Sequence, residues 1–244
     1  MKKRSSSKMG WVAGLAGMML TPSLFAYVGL DGTLNFTAST YAYGNGGEFN
    51  VMATPFSGAP DLDSFATFCI ETSIYIGQPP CGPYTYTINT GAVPGDAGPD
   101  AIDPHTGLAM DNVSIGTAWL YSQFRAGILT LDTGTGSYFD ANRLAHAGEL
   151  QNAIWYLEDE GGRDNGYVAL VESVLGKTEA QVKADSDGAY GVVALNLYDG
   201  NGNLAQNQLA MVIDPTKVVP EPSAAALIVP AIGALGLAWR RQRS

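Results

Sequence analysis

Hydrophobic and polar residues alternate with period two between Thr33 and Asn89, in stretches rich in β-branched and aromatic residues. In the last stretch, Tyr84, Tyr86 and Ile88 share one face and polar residues occupy the other. Such alternation is typical of an antiparallel sheet that is buried on one side. The pattern predicts four strands, separated by the turns GNGG, SGAPD and GQPPCG: TLNFTASTYAY, EFNVMATPF, SFATFCIE and PYTYTINT.

The period changes to that of a helix after residues 91–111, a stretch rich in glycine, proline and aspartate that predicts an exposed loop. Ser114 is a suitable N-cap for a first helix that ends near Gly127. A second helix is predicted over 141–160, before a Gly-Gly pair. Its acidic end, Glu158-Asp159-Glu160, lies at the helix pole that disfavours anions, and the sequence alone does not explain this.

The remainder of the chain predicts two short helices and a return to strands. Tyr167–Leu175 is helical in pattern, and Thr178 with Gln181 forms a capping box for a short fourth helix. The strands AYGVVALNLYD and LAQNQLAMVID follow, joined by a turn at 200–203. The fold class predicted is therefore α+β, an antiparallel β barrel or sandwich with a helical insertion.

The N-terminus has the features of a secretory signal peptide. Four basic residues precede an apolar run, Met9–Leu20, and a small residue, Ala26, marks the expected cleavage site. A retained membrane anchor is the weaker alternative because the apolar run is about 12 residues long, well short of a bilayer span. We expect residues 1–26 to be removed and the mature protein to leave the cytoplasm.

The C-terminus combines a Pro-Glu-Pro element with an apolar stretch over 223–239 and a basic tail. This order resembles the PEP-CTERM sorting signal, which covers residues 218–244. The resemblance implies a Gram-negative source, a transmembrane sorting helix, an inner-membrane intermediate, and an exosortase-type protease as partner beside the secretion machinery. A plain tail anchor is the alternative. The residues that carry the motif are Val219, Pro220, Glu221 and Pro222.

The segment between the two signals, 27–217, is long enough for one domain with a substantial core. It contains six basic and 22 acidic residues, a formal net charge of −16. That charge excludes nucleic acid as a partner and suits an extracellular surface. The final location predicted is the cell surface or the extracellular matrix.

Familiar catalytic and metal-binding patterns are poorly supported, so no cofactor and no metal are expected. No serine lies in a G-x-S-x-G context, and the single D-T-G, at 132–134, lacks the second copy that an aspartic protease needs. Asp199, Asn201 and Asn203 could begin a calcium loop, but Ala210 stands at the position of the closing glutamate. A hairpin turn is the better interpretation.

The hexapeptide LQNAIW places Gln151 on the same helix side as Ala147, Ile154 and Trp155. An unpartnered buried amide costs about 1–3 kcal/mol, so Gln151 requires a partner. One possibility is a hydrogen bond to sheet backbone. The other is a covalent bond between its acyl carbon and the sulfur of Cys69, which lies in the tetrapeptide FCIE.

Together, FCIE and LQNAIW resemble the paired motifs of thioester domains in bacterial surface adhesins. The resemblance implies an internal thioester between Cys69 and Gln151, with Phe68, Glu71, Ile154 and Trp155 around it. It also implies covalent capture of an amine or hydroxyl on a surface or matrix target, hence adhesion. Such a protein is not an enzyme beyond forming its own thioester and reacting once.

The second cysteine, Cys81, leaves a competing hypothesis open. A Cys69–Cys81 disulfide would close a short loop, add about 3 kcal/mol of stability, and prevent the thioester. The chain would then be a structural matrix protein without covalent activity. We favour the thioester because a disulfide explains neither the Gln151 amide nor its pairing with FCIE.

Overall fold

The computed structural model describes residues 32–38, 40–44, 46–54, 64–93, 101–103, 107–131 and 136–212. The predicted signal peptide and the sorting signal, with its apolar stretch, lie outside these residues. Within the described part of the chain, no helix is long and apolar enough to cross a bilayer.

Among the described residues, seven strands form one curled antiparallel sheet, a half-barrel in the order β10-β9-β5-β1-β3-β2, with β4 also paired to β3. A small sheet in the order β6-β8-β7 lies beside it. The strands found in the described residues are, in chain order, β1 (Thr33–Phe36), β2 (Tyr41–Tyr43), β3 (Gly46–Ala53), β4 (Ser64–Thr67), β5 (Cys81–Asn89), β6 (Gly91–Ala92), β7 (Ala101–Ile102), β8 (Ala109–Asn112), β9 (Val192–Tyr198) and β10 (Leu204–Met211).

In the part of the chain that the structure describes, four α-helices and a 3₁₀ helix (Ala189–Gly191) lie between the small sheet and β9. The α-helices are α1 (Ile115–Arg125), α2 (Arg143–Leu157), α3 (Gly166–Leu175) and α4 (Glu179–Val182). The predicted cap of α1 is confirmed, because the Ser114 hydroxyl accepts from the backbone N–H of Thr117 at 3.1 Å. The capping box at α4 is confirmed as well. The predicted helix over 141–160 is shorter at both ends, and the α+β class is correct.

Two strand predictions need correction. The stretch TLNFTASTYAY is not one strand but two, β1 and β2, because both pair with successive parts of the longer β3. The stretch SFATFCIE ends its strand at Thr67, and Cys69 forms only an isolated bridge beyond it. The strands in these two stretches are therefore shorter than their alternating patterns suggest.

The predicted loop over 91–111 is also not fully exposed, since it contains β6, β7 and the start of β8. Buried asparagines from the main sheet hold its backbone. Asn196 accepts from the N–H of Val93 at 3.1 Å and donates to the carbonyl of Gly91, and Asn207 donates to the carbonyl of Val93 at 2.8 Å. Long-range side-chain partners of this kind leave no periodic signal in the segment that they bind.

The curled sheet separates two hydrophobic cores, which we call the sheet core and the helical core. The sheet core includes Phe36, Tyr86 and Leu195. The helical core contains residues of the helices and of the sheet, among them Phe68, Leu120 and Ile154. Period two along β9 sends alternate residues into the two cores, which is why that strand is buried throughout.

The acidic end of α2 is explained by the neighbouring helix. Glu158, which is buried, accepts from the backbone N–H of Ser114 at 3.1 Å and from its hydroxyl at 2.7 Å. The carboxyl group therefore faces the N-terminus of α1, where a negative charge is favoured. Burial nevertheless dominates and raises the pKa of Glu158 to about 7, against the opposing hydrogen bonds from Thr117 and Ser114.

A pH-dependent contribution to stability follows. Because the pKa of Glu158 is higher in the folded state than in the unfolded state, the folded domain binds the proton more tightly. Protonated Glu158 therefore adds at most about 3 kcal/mol to the free energy of unfolding. This stabilisation is fully present below about pH 4.5 and is lost as the pH rises through 7. Urea denaturation of the wild type and Glu158→Gln at several pH values measures the difference. Parallel pH profiles for the two proteins would contradict this assignment.

Candidate functional site

Cys69 lies where the end of β4 meets β10. It bridges Gln208, and the flanking residues supply the hydrogen bonds: Ile70 donates its N–H to the carbonyl of Asn207, and Leu209 donates to the carbonyl of Phe68, both at 3.1 Å. The bridge links β10, at one end of the half-barrel, to the segment that extends β4. The backbone N–H and C=O of Cys69 point away from β10 and need other partners.

The side-chain amide of Gln151 supplies both partners. Its Oε1 accepts from the N–H of Cys69 at 3.1 Å, and its Nε2 donates to the Cys69 carbonyl at 2.8 Å. The same Oε1 accepts from the N–H of Gly47 in β3 at 3.3 Å. Gln151 is 1% exposed, so its amide continues the sheet from within a helix. The structure thus brings the two predicted residues together, through the amide of one and the backbone of the other.

The thiol of Cys69 contacts a different glutamine. Gln208 donates from Nε2 to the Cys69 Sγ at 3.4 Å, as expected for side chains that share one face of a bridged pair. Cys69 is completely buried, and burial raises the pKa of its thiol to about 12, with the Gln208 hydrogen bond opposing the shift. Gln208 could not be identified from the sequence, because only the register between Cys69 and β10 places it beside the thiol.

Cys81, the second cysteine, is partly exposed at the start of β5 and donates from its thiol to the carbonyl of Gly77 at 3.2 Å. Both cysteines are free in the structure, which contains neither the Cys69–Cys81 disulfide nor a thioester at Cys69.

The predicted surroundings of the site are divided between the two cores. Phe68 and Ile154 lie in the helical core, where the Phe68 ring meets Phe124 edge to face at 5.0 Å between centroids. Trp155 packs against the sheet core, to which Cys69 belongs. Glu71 is buried, and its carbonyl accepts from Gln206 Nε2 at 2.8 Å. Apolar side chains thus shield the Cys69–Gln151 contact on both sides of the sheet.

An ion pair fixes the start of α2 to β3, next to the glycines that face Gln151. Arg143 donates from Nη2 and Nε to the two carboxylate oxygens of Glu48, at 2.6 and 3.0 Å. The hydroxyl of Tyr138 donates to the same carboxylate at 2.9 Å. Glu48 is 1% exposed, so this bidentate pair is more specific and less screened than a surface ion pair. It fixes the position from which Gln151 reaches Cys69.

Glycines make room for the side chains of α2. A Cβ at Gly46 would lie 2.6 Å from Cγ of Gln151 and 2.7 Å from the Trp155 ring. A Cβ at Gly148 would lie 2.7 Å from the ring of Tyr43, which therefore rests directly on the helix backbone. These contacts bring β2, β3 and α2 closer together than a larger residue would permit.

A pocket of about 530 Å³ lies above this contact, and Gln151 forms part of its wall. Trp155 and Asn152 of α2 line it, together with Tyr43 of β2, Tyr75 of the loop after Cys69, and Gln206 of β10. The volume lies within the range of pockets that hold small ligands. Gln151, although 1% exposed, therefore borders a space large enough for a small reagent.

The predicted hairpin turn after β9 is confirmed. Asp199 Oδ1 accepts from the backbone N–H groups of Asn201 and Asn203 at 2.8 and 2.9 Å. The side-chain amide of Asn203 donates to Oδ2 at 3.0 Å, and this bond, followed by the backbone bond from Asn203, lowers the pKa of Asp199. Among the described residues, no group of three or more His, Cys, Asp or Glu side chains is arranged to hold a metal ion.

The comparison with known families concerns the C-terminus. Residues 218–243 match the PEP-CTERM protein-sorting motif. A protein with this motif is exported, passes through an intermediate that its C-terminus anchors in the membrane, and is recognised by exosortase-type sorting machinery. The predicted sorting residues Val219 to Pro222 lie within the match. No curated protein and no solved structure matches the chain.

The close contact at Gly46 generates a prediction about stability. Gly46→Ala places a methyl group against Gln151 and Trp155, and we expect a loss of about 1–3 kcal/mol in the free energy of unfolding. Gly200→Ala is the matched control, because a Cβ there has no neighbour within 4 Å. Chemical denaturation of both variants measures the difference. Equal stabilities would show that Gln151 and Trp155 do not pack as described.

Proposed function

We propose that the central domain of this exported, exosortase-sorted protein forms a thioester between Cys69 Sγ and Gln151 Cδ and uses it for covalent attachment to a target outside the cell. The observation that carries the proposal is the pair of backbone N–H groups, from Cys69 and Gly47, that both point at the carbonyl oxygen of Gln151. Both donors would draw electron density from the acyl carbon of Gln151 and so support attack on it.

Two convergent N–H donors at a carbonyl oxygen are the usual means of stabilising a tetrahedral intermediate in acyl transfer. Here one donor belongs to the nucleophilic residue itself, an arrangement that also occurs in serine hydrolases. The negative charge that develops on Oε1 during attack on Cδ would be held by bonds that already exist in the folded domain. The donors therefore favour addition at this acyl carbon.

Formation of the bond is balanced without any co-reactant. Cys69 Sγ attacks Gln151 Cδ, the bond from Cδ to Nε2 breaks, and the thiol proton leaves with the nitrogen as ammonia. Gln208, in contact with Sγ, would stabilise negative charge on the sulfur during attack and again when sulfur becomes the leaving group. Burial of Cys69 and Gln151 keeps water from the product.

Capture then reverses the roles of the two residues. An amine or hydroxyl that enters the pocket adds to Cδ, and the bond to Sγ breaks. The proton of the attacking group passes to sulfur, which regenerates the Cys69 thiol. Gln151 ends in an amide or ester link to the target, so each molecule reacts once and is not an enzyme in the ordinary sense. Covalent adhesion at the cell surface or in the extracellular matrix is the function that this chemistry serves.

The thioester predicts a distinct mass and a specific label. The purified domain, residues 27–217, should be lighter than its sequence by one ammonia and should contain one alkylatable thiol, Cys81. Reaction with methylamine should give the mass of a domain with an N-methylated Gln151 and should free the Cys69 thiol for alkylation. Intact mass, followed by peptide mapping, checks both points. Two alkylatable thiols at the unmodified mass would contradict the proposal.

Three variants identify the acyl donor. Cys69→Ser keeps the backbone that Gln151 binds and should abolish methylamine labelling in a folded domain. Gln208→Ala should slow labelling while the label stays on Gln151, because Gln208 contacts sulfur without supplying the acyl group. Cys81→Ala should label as the wild type does. A label found on Gln208 would transfer the assignment to that residue.

The sorting signal predicts two cleavages. The precursor should lose residues 1–26, and coexpression with an exosortase should remove the C-terminal tail near Pro220–Pro222. Mass spectrometry of protein recovered from the cell exterior identifies both new termini. An externally displayed protein that still ends in its basic tail, with Arg243 present, would contradict the second cleavage, and Glu221→Ala serves as the motif control.

A further inference from the structure

We propose that the pocket above Gln151 binds a neutral saccharide, and that the acceptor for the Gln151 acyl group is therefore a saccharide hydroxyl. The covalent half of this inference rests on the proposed function. The binding half rests on the pocket alone.

Two of the aromatic side chains that line the pocket are largely exposed to solvent. Tyr43 is 54% exposed and Tyr75 is 64% exposed, and both line the pocket together with Trp155. The Tyr43 ring is held against the backbone of Gly148, so one face is fixed while much of the ring stays open to solvent. Flat apolar faces with polar edges suit the C–H faces of sugar rings and bind them at a low cost in conformational entropy.

The polar groups of the pocket are amides and a hydroxyl, and each is oriented by a bond to backbone. Asn152 donates from Nδ2 to the carbonyl of Gly148 at 2.8 Å, and Gln206 donates from Nε2 to Glu71 at the same distance. The Thr72 hydroxyl lies 3.0 Å from the carbonyl oxygen of Glu160 and 3.1 Å from its carboxylate, to which the Thr72 N–H also donates at 3.0 Å. An amide has four hydrogen-bonding positions, so these bonds leave capacity for ligand hydroxyls at preset angles.

The charge of the pocket separates it from the rest of the domain. The segment 27–217 has a net charge of −16, yet none of the residues lining the pocket is charged. The Glu160 carboxylate beside the pocket is bound by the N–H and hydroxyl of Thr72, and no residue of the lining offers a carboxylate to a lysine ammonium. An uncharged wall of aromatic, amide and hydroxyl groups favours a ligand that has many hydroxyls and no charge.

The covalent step with such a ligand is balanced as before. A saccharide hydroxyl oxygen adds to Gln151 Cδ, the bond from Cδ to Sγ breaks, and the hydroxyl proton passes to Cys69. The products are a saccharide ester of Gln151 and a free thiol. Binding in the pocket would supply the effective concentration that a weak hydroxyl nucleophile needs against water.

Binding without covalent capture is tested first, in the Cys69→Ser domain. Cellopentaose, laminaripentaose and chitopentaose are titrated separately and followed by NMR. We expect at least one to bind with a dissociation constant on the order of 1 mM or tighter. Tyr75→Ala and Tyr43→Ala should each weaken that binding at least about tenfold, a loss typical of a ring contact. Tyr190→Ala removes an exposed tyrosine outside the pocket and should not change it.

Two results would overturn the binding assignment: no interaction with any of the three sugars, or an interaction that survives both pocket substitutions. The wild-type domain is then incubated with the sugar that binds, and peptide mapping should locate a hydroxylamine-sensitive ester on Gln151. A lysine-rich peptide serves as the competing acceptor. If it captures Gln151 while the bound sugar does not, the saccharide is not the acceptor.

The two proposals fail in different ways. Methylamine labelling of Gln151 without sugar binding overturns the saccharide pocket and leaves the thioester standing. Sugar binding without methylamine labelling overturns the thioester, and the pocket assignment stands as noncovalent recognition.

Discussion

The pairing of the Gln151 amide with the backbone of Cys69 is the interaction on which the candidate site depends. It uses both backbone groups of Cys69 and adds the N–H of Gly47, so one side chain joins α2, β3 and the segment after β4. Removal of the amide would leave these buried backbone groups unsatisfied, at a cost of about 1–3 kcal/mol for each group. The bonds that stabilise the fold here are also those that polarise the acyl carbon, and a structural and a chemical role for Gln151 therefore share one geometry.

This geometry requires Cys69 to be paired on both edges of its strand segment. On one edge it bridges Gln208 of β10, which brings the thiol and the Gln208 amide to the same face. On the other edge the continuation of β3 is replaced by an amide from a helix, which β3 admits because Gly46 has no side chain. The buried ion pair between Arg143 and Glu48 then sets where the helix starts. The curled sheet, the glycine at position 46 and the ion pair together bring the Gln151 amide to the backbone of Cys69.

The sequence was sufficient to predict those parts of the structure that depend on local patterns. Ser114 as a cap, the capping box at α4 and the hairpin turn at Asp199 follow from residue types at fixed spacing, and each is found in the structure. Gln151 was predicted to be buried and in need of a partner, and it is. Gln208 and the strands within 91–111 could not be predicted, because the register that places Gln208 and the asparagines that hold those strands come from distant parts of the chain. Local periodicity contains no information about such partners.

Burial at the site also determines the direction in which its chemistry would proceed. A thiol with a pKa near 12 is ionised in only about one molecule in 10⁵ at pH 7, so attack by the Cys69 sulfur on any acyl group is slow. In the proposed reaction that limit would be tolerable, because the bond would form once in each molecule. It would become an advantage after capture, because the regenerated thiol would be neutral and would not attack the new link to the target. A buried cysteine with a raised pKa is a poor repeated catalyst, and for the same reason it is well suited to a reaction that has to happen once and then persist.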